Sequence, residues 1–440
     1  MQLATRSEKQ IDIKELYALK IGSLWKEFKQ QPVSFWLLCV YFFFEYVRPQ
    51  TLYPVIDILP WGFISLLLTI VTALINKKIV WVSNPLNKLF VFLALIITLS
   101  GIFAFNPMAS WDYRQAMLGW LIVYFLVINI VNTEKLLILF LVAYLLFSLK
   151  MAQYGSINWI KRGFSFESYG LEGAPGWFRN SGEYAIQMLI FGSLAISLVI
   201  SLRSYWGRYK RWILYAAAAT GYFAVMGASS RGAQLALAVM TVWFLLKQKN
   251  GMRGLIVIAI LSVGLYHILP EEQIQRFHEI GQDNSSLQRL AYWNAGIEMI
   301  KEHPVLGVGY NNWISYMFYK YPGGVGPEHA IQVCHNIYIQ AASELGLLGL
   351  FCFLMMAFYA FLNNVRTRRM AKQLDNKLLF NLSYGLDAGL IGYLVAGTFV
   401  TVLYYPFFWI QITMIVMLNN VALKTVAQRK KVGTSRRSAS

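Results

Sequence analysis

The chain has 440 residues, 57% of them hydrophobic and 14% charged, with 29 Phe, 26 Tyr and 14 Trp. Long apolar runs in such a composition exclude an ordinary soluble globule and place the chain among the multi-spanning membrane proteins. The formal net charge of +18 raises nucleic acid as a partner, and the placement of that charge, set out below, removes it.

The stretch up to Pro32 is polar and charged, so no cleavable signal peptide is expected. At about 20 apolar residues per span, twelve helices are predicted, near 33–47, 61–75, 89–105, 115–131, 136–153, 182–201, 212–228, 231–246, 254–269, 336–361, 379–403 and 406–423. The expected fold is an all-α integral membrane protein. With the N-terminus inside, 28 of the 39 basic residues fall on cytoplasmic segments, accompanied by only six acids: Glu8, Asp12, Glu15, Glu27, Glu134 and Asp375. Such a bias is the topology signal of a membrane protein, not a nucleic-acid footprint.

An even span count puts both termini in the cytoplasm. The expected divisions are a cytoplasmic segment (1–32), nine spans with an outer loop at 154–181 (33–269), an outer segment carrying surface helices (270–335), three spans (336–423) and a basic tail (424–440). No internal repeat supports an inverted-repeat transporter, although twelve spans with both ends inside is also a transporter plan. Cys39, Cys334 and Cys352 are too few for a disulfide framework, and no Cys-based zinc site is expected.

Eleven basic residues remain outside or within the membrane, against the topology rule, and each asks for a reason. Arg231 follows Ser229 and Ser230 at the start of a helix, where a cation opposes the dipole unless an anion sits there too. Its alternative is an interfacial side chain reaching the headgroups. Arg289 lies on the polar face of a stretch in which Leu287, Leu290, Ala291, Ile297 and Ile300 recur at helical spacing, as in a helix lying on a membrane. Arg162 and Arg179 flank a Gly- and aromatic-rich outer loop, and Arg48 is a further outer cation.

His335 opens a long apolar helix, where free N–H groups disfavour an imidazolium and leave a base able to accept a proton. A capping or loop histidine is the alternative. Asn336 follows it, and Glu344 lies about 12 Å into the same helix at 1.5 Å per residue. An intramembrane carboxylate is a functional candidate, though a buried partner serves equally well. His329, Glu328, Cys334 and His335 match no zinc spacing, and no metal site is expected.

The order of these motifs resembles the bacterial O-antigen ligase family, within the superfamily that also holds O-antigen polymerases and protein O-oligosaccharyltransferases. The match rests on Ser230-Arg231-Gly232, Arg289-Leu290-Ala291-Tyr292-Trp293, His303-Pro304-Val305-Leu306-Gly307-Val308-Gly309, and His335-Asn336-Ile337-Tyr338-Ile339-Gln340 followed by Glu344-Leu345-Gly346. It covers about the second half of the chain.

The resemblance implies a membrane glycosyltransferase of helical, GT-C-like fold in the bacterial inner membrane. It would work on the periplasmic side, as a monomer, without metal or nucleotide cofactor. Its donor would be a glycan on undecaprenyl pyrophosphate and its acceptor the lipid A–core oligosaccharide, with O-antigen polymerase and protein O-oligosaccharyltransferase as the alternatives within the superfamily. By that analogy His335 is the general base and Arg231 and Arg289 hold the pyrophosphate, with Arg179 and Arg162 as further candidates. Glu344, Asn336 and Arg48 are supporting candidates.

Overall fold

The computed structural model describes residues 11–76, 82–166, 170–247, 251–254, 256, 259 and 283–437. Its regular elements are helices: α1 Ile13–Tyr17, α2 Ile21–Lys29, α3 Val33–Tyr46, α4 Pro49–Leu52, α5 Trp61–Ile75, α6 Pro85–Ile102, α7 Pro107–Ile130, α8 Glu134–Lys161, α9 Ser181–Leu202, α10 Arg208–Gly227, α11 Arg231–Leu246, α12 Asn284–Glu302, α13 Trp313–Lys320, α14 Ile337–Leu374, α15 Lys377–Ala396 and α16 Pro406–Arg437. Seven of them, α6–α9 and α14–α16, are long and apolar enough to cross a membrane, and α5 and α11 are shorter apolar helices. The chain is a multi-pass helical membrane protein. The helix expected at 254–269 lies almost wholly outside the described residues, as do residues 270–282.

Local chemistry sets many of the helix starts. Asn84, Asn106, Thr133 and Asn180 each accept a backbone N–H at the start of α6, α7, α8 and α9, and Pro85 and Pro107 occupy the first turn. A capping oxygen and a proline without N–H both suit a turn whose donors have no helical acceptor. The α9 and α15 pair packs through small residues: a Cβ at Gly385 would lie 2.3 Å from Ser197 Oγ and 2.8 Å from Ser193 O. Close backbone approach of this kind is how helices associate where lipid removes the hydrophobic drive between them.

Several boundaries differ from expectation. Helix α7 starts at Pro107 instead of 115, and α16 ends at Arg437 instead of 423, so that the basic tail continues the last helix. Helix α8 runs to Lys161, two turns into the expected loop, because Ser156 donates to Thr220 O at 2.7 Å and Gly155 packs under Tyr184 and Ala224. Helix α14 continues past 361 to Leu374, carrying its basic end with it. Helix α15 stops at Ala396 instead of 403, and residues 397–405 form a turn that becomes the floor of the site.

Residues 283–335 form a cap over one end of the bundle, with its own core of Tyr292, Ala295, Met299, Val308, Trp313, Tyr316, Met317 and Cys334. Helix α12 turns Gln288, Tyr292, Ala295 and Met299 inward and leaves Leu287, Leu290 and Ile297 exposed. The aliphatic stripe read from the sequence is therefore not the face that packs against the cap. Across α12 and α13, Lys320 pairs with Glu302 at 2.6 Å and Glu298 at 3.3 Å.

The cap is fastened at a break in α14. Gly346 has φ 71° and ψ −178°, which interrupts the helical ladder one turn after Ser343. The freed carbonyls are taken up by the cap: Val308 N–H donates to Ser343 O at 2.8 Å and Gly309 N–H to Glu344 O at 3.2 Å. Ser100 on α6 also donates to Glu344 O, at 2.7 Å. Leu347 N–H in turn donates to Pro304 O at 2.8 Å. The His303–Gly309 motif is thus a clasp that satisfies a broken helix, as buried backbone groups require.

Replacing Gly346 by Ala should weaken the fold by about 1–3 kcal/mol, because the positive φ is strained for a Cβ and that Cβ would lie 2.0 Å from Val305 O. Unfolding in detergent checks this, with Gly119→Ala as the control, since nothing lies within 4 Å of a Cβ there. Equal stability of the two variants would refute the clasp.

Candidate functional site

A polar cavity of about 560 Å³ opens where the cap meets the bundle. Its floor is the strip Phe399-Val400-Thr401 from the turn after α15. Gly232 at the start of α11 packs on Phe399, and Gly182 at the start of α9 packs on Val400, each within 3 Å of a virtual Cβ. Thr401 Oγ1 accepts the backbone N–H of His335 at 2.7 Å. The strip therefore sets two helix N-termini and the histidine side by side.

His335 is held from several directions. Its φ of 50° bends the chain just before α14, and Ile337 N–H donates to Gly397 O at 2.9 Å. The indoles of Trp293 and Trp313 donate to Cys334 O at 3.1 Å and Gln332 O at 2.8 Å, which fixes the approach to it. Burial first, and then the charge of Arg289, depress the imidazole to about 4. Asn336 caps α14 instead, its Oδ1 accepting from Tyr338 N at 2.9 Å and Ile339 N at 3.1 Å.

Arg231 extends from the first residue of α11, whose N-cap Ser230 makes no side-chain cap bond. The fork of its guanidinium is taken by Asp283: NH2 donates to Oδ2 at 2.8 Å and NH1 to Oδ1 at 3.4 Å, with Ser285 Oγ at 3.2 Å from NH2. Burial works against ionised Asp283, but hydrogen bonds from Arg231, Ser286 and Ser285 outweigh it and hold the carboxyl well below the usual range. Arg289 is half-buried in the same cavity, and among the described residues no salt bridge engages it. Burial and the nearby Arg231 both lower its proton affinity. The cavity thus holds two guanidiniums, the Asp283 carboxylate paired with one of them, the Glu183 carboxyl, and a neutral imidazole alongside.

The other candidates sit elsewhere. Arg162 is the C-cap of α8 and accepts from Ser165 through its carbonyl. Arg179 is exposed, and neither residue lines the cavity. Arg48 packs its guanidinium against Gly176 of the outer loop. Glu344 is buried beneath the cap, accepting from Trp313 N–H at 2.9 Å and from Gln340 Nε2 at 3.2 Å. The first of these bonds ties the start of α13 to α14.

The structure adds residues that sequence reasoning passed over: Asp283, the 399–401 strip, Tyr405 and Glu183. Only Glu183 left a readable signal, the Asn180-Ser181-Gly182-Glu183 capping box.

Fold and cavity together define a multi-pass helical membrane protein with a cationic site at its helix ends. Residues 215–354, which include Arg231, Arg289 and His335, match the family model described as O-Antigen ligase. That segment, about a third of the chain, is similar to the O-antigen ligase domain of the O-antigen ligase and polymerase superfamily, whose members are glycosyltransferase-like enzymes. A search of the curated proteins finds no match. The floor strip and Glu183 lie outside the matched segment.

Replacing Arg289 by Met should raise the His335 imidazole from about 4 toward its ordinary 6.5 without reaching it, because burial is the larger cause and remains. Histidine NMR in detergent reads this directly. An unchanged titration would mean that Arg289 does not face the ring.

Proposed function

We propose that the chain transfers a glycan from a lipid diphosphate, undecaprenyl pyrophosphate, to a sugar hydroxyl of the lipid A–core oligosaccharide, at the periplasmic face of the bacterial inner membrane. The observation that carries this reading is the convergence of Arg231, Arg289 and His335, from three separate segments, in one cavity. In the step, the acceptor oxygen attacks the anomeric carbon and the bond from that carbon to the phosphate oxygen breaks. The hydroxyl proton passes to the imidazole, and the lipid diphosphate leaves as an anion.

The division of labour follows from charge. A leaving diphosphate gathers negative charge that preorganised guanidiniums stabilise better than water, so it needs no proton from an acid. Arg231 and Arg289 supply that charge beside the uncapped start of α11. Asp283 marks where an anion sits on Arg231, and a phosphate oxygen either displaces it or takes the edge of the fork that Asp283 leaves free. His335 is neutral at pH 7 and able to accept a proton. An imidazole near 4 is a weak base, and a bound diphosphate, by offsetting Arg289, raises it toward the working pH. In this reading the two guanidiniums and the start of α11 supply the positive charge that the leaving diphosphate needs.

Two readouts test the assignment. In proteoliposomes, His335→Ala should keep donor binding and lose about 10²–10⁴-fold in transfer. For the wild type, the acid limb of kcat/KM, which reports the free enzyme, should fall near pH 4, while that of kcat, which reports the donor-bound enzyme, should lie higher. Full transfer by His335→Ala, or loss of its donor binding, would remove His335 as the base.

A further inference from the structure

Glu183 is a carboxylate in a cavity otherwise suited to an anion, and it is not spent on an arginine. It occupies the third position of α9, where its Oε2 accepts the Asn180 N–H at 3.1 Å and completes the capping box. Tyr405 lines the same cavity. Among the described residues no salt bridge engages it. An ionised carboxylate accepts about four hydrogen bonds; one is filled, by a neutral backbone donor, and the cavity is where further donors can reach it.

A diphosphate is a poor neighbour for that group, since like charges at contact distance repel. The ligand that suits it is a neutral donor of several hydrogen bonds, and a sugar is one. The walls agree: the Tyr405 and Phe399 rings line the cavity, and Trp177 stands edge-on to Tyr405 at 5.1 Å. Aromatic surfaces match the apolar CH faces of a pyranose. The floor strip also gives the placement, with Val400 against Gly182, one residue before Glu183, and the next residue, Thr401, bonded to His335 N–H.

We propose that Glu183 and Tyr405 form the acceptor-sugar subsite, the carboxylate accepting hydrogen bonds from sugar hydroxyls and so presenting one of them to His335. This rests on the glycosyl-transfer reading above and makes Glu183 a positioning residue. A purely structural role would be confined to the cap of α9, and a capping box accepts Gln in place of Glu.

Glu183→Gln therefore separates the roles. In proteoliposomes supplied with lipid-linked donor and lipid A–core acceptor, it should unfold at the wild-type temperature and bind donor with unchanged affinity. Its KM for acceptor should rise about tenfold, because neutral hydrogen bonds are roughly half as strong as charge-assisted ones. Tyr405→Phe, which keeps the ring, should raise that KM by less. An unchanged acceptor KM in Glu183→Gln would overturn the subsite, and so would a gain in donor affinity, which would make Glu183 a counter-charge to the arginines. Wild-type protein that neither binds nor transfers the donor would instead overturn the glycosyl-transfer reading itself.

Discussion

The site depends on a helix that is broken on purpose. A continuous α14 would present a smooth apolar cylinder with every carbonyl used, and the cap would have nothing polar to hold. The break at Gly346 releases the carbonyls of Ser343 and Glu344, and the backbone of Val308 and Gly309 takes them. The buried Glu344 carboxylate adds a second tie through Trp313 N–H. Leaving such groups unpaired costs several kcal/mol in a medium without water, so the clasp is strongly preferred to any other seating of the cap. Arg289 and His335 are carried on what it fastens, α12 and the run into α14.

Charge then gives the cavity its character. Arg231 lies close enough to Arg289 to disfavour its proton, and of the two only Arg231 has a carboxylate partner among the described residues. The charge of Arg289 also reaches His335 and helps keep it neutral. The arrangement is self-adjusting: an anion that quiets the arginines also makes the imidazole a better base. Binding of the leaving group and readiness of the base are coupled through one electrostatic field, with no moving part required.

Much of this was legible from residue order. The apolar runs gave the long spans, an unexplained cation at a helix start singled out Arg231, and a histidine at another helix start singled out His335; the fold brings the two into one cavity although about a hundred residues separate them. What was hidden lay inside apolar runs or behind helical periodicity. Residues 397–403 read as the end of a span because Val400, Val402 and Leu403 continue the hydrophobic pattern, yet Gly397 and Thr398 end α15 and free the strip to line the cavity. On α12 the aliphatic stripe was the louder signal, but Tyr292 and Met299 fill the cap core better than leucines at its rim. Glu344 looked functional as an intramembrane carboxylate, and its partner, a backbone N–H 31 residues earlier, has no sequence signature.

The central claim is that Arg231 and Arg289 jointly receive the diphosphate of a lipid-linked donor. Equilibrium binding of that donor to reconstituted protein, compared with the Arg231→Ala/Arg289→Ala double variant, tests it most directly. Two charge-assisted contacts at about 1.5–3 kcal/mol each predict a loss of roughly a hundredfold or more in affinity, with the fold retained. Donor binding by the double variant at the wild-type affinity would contradict the account.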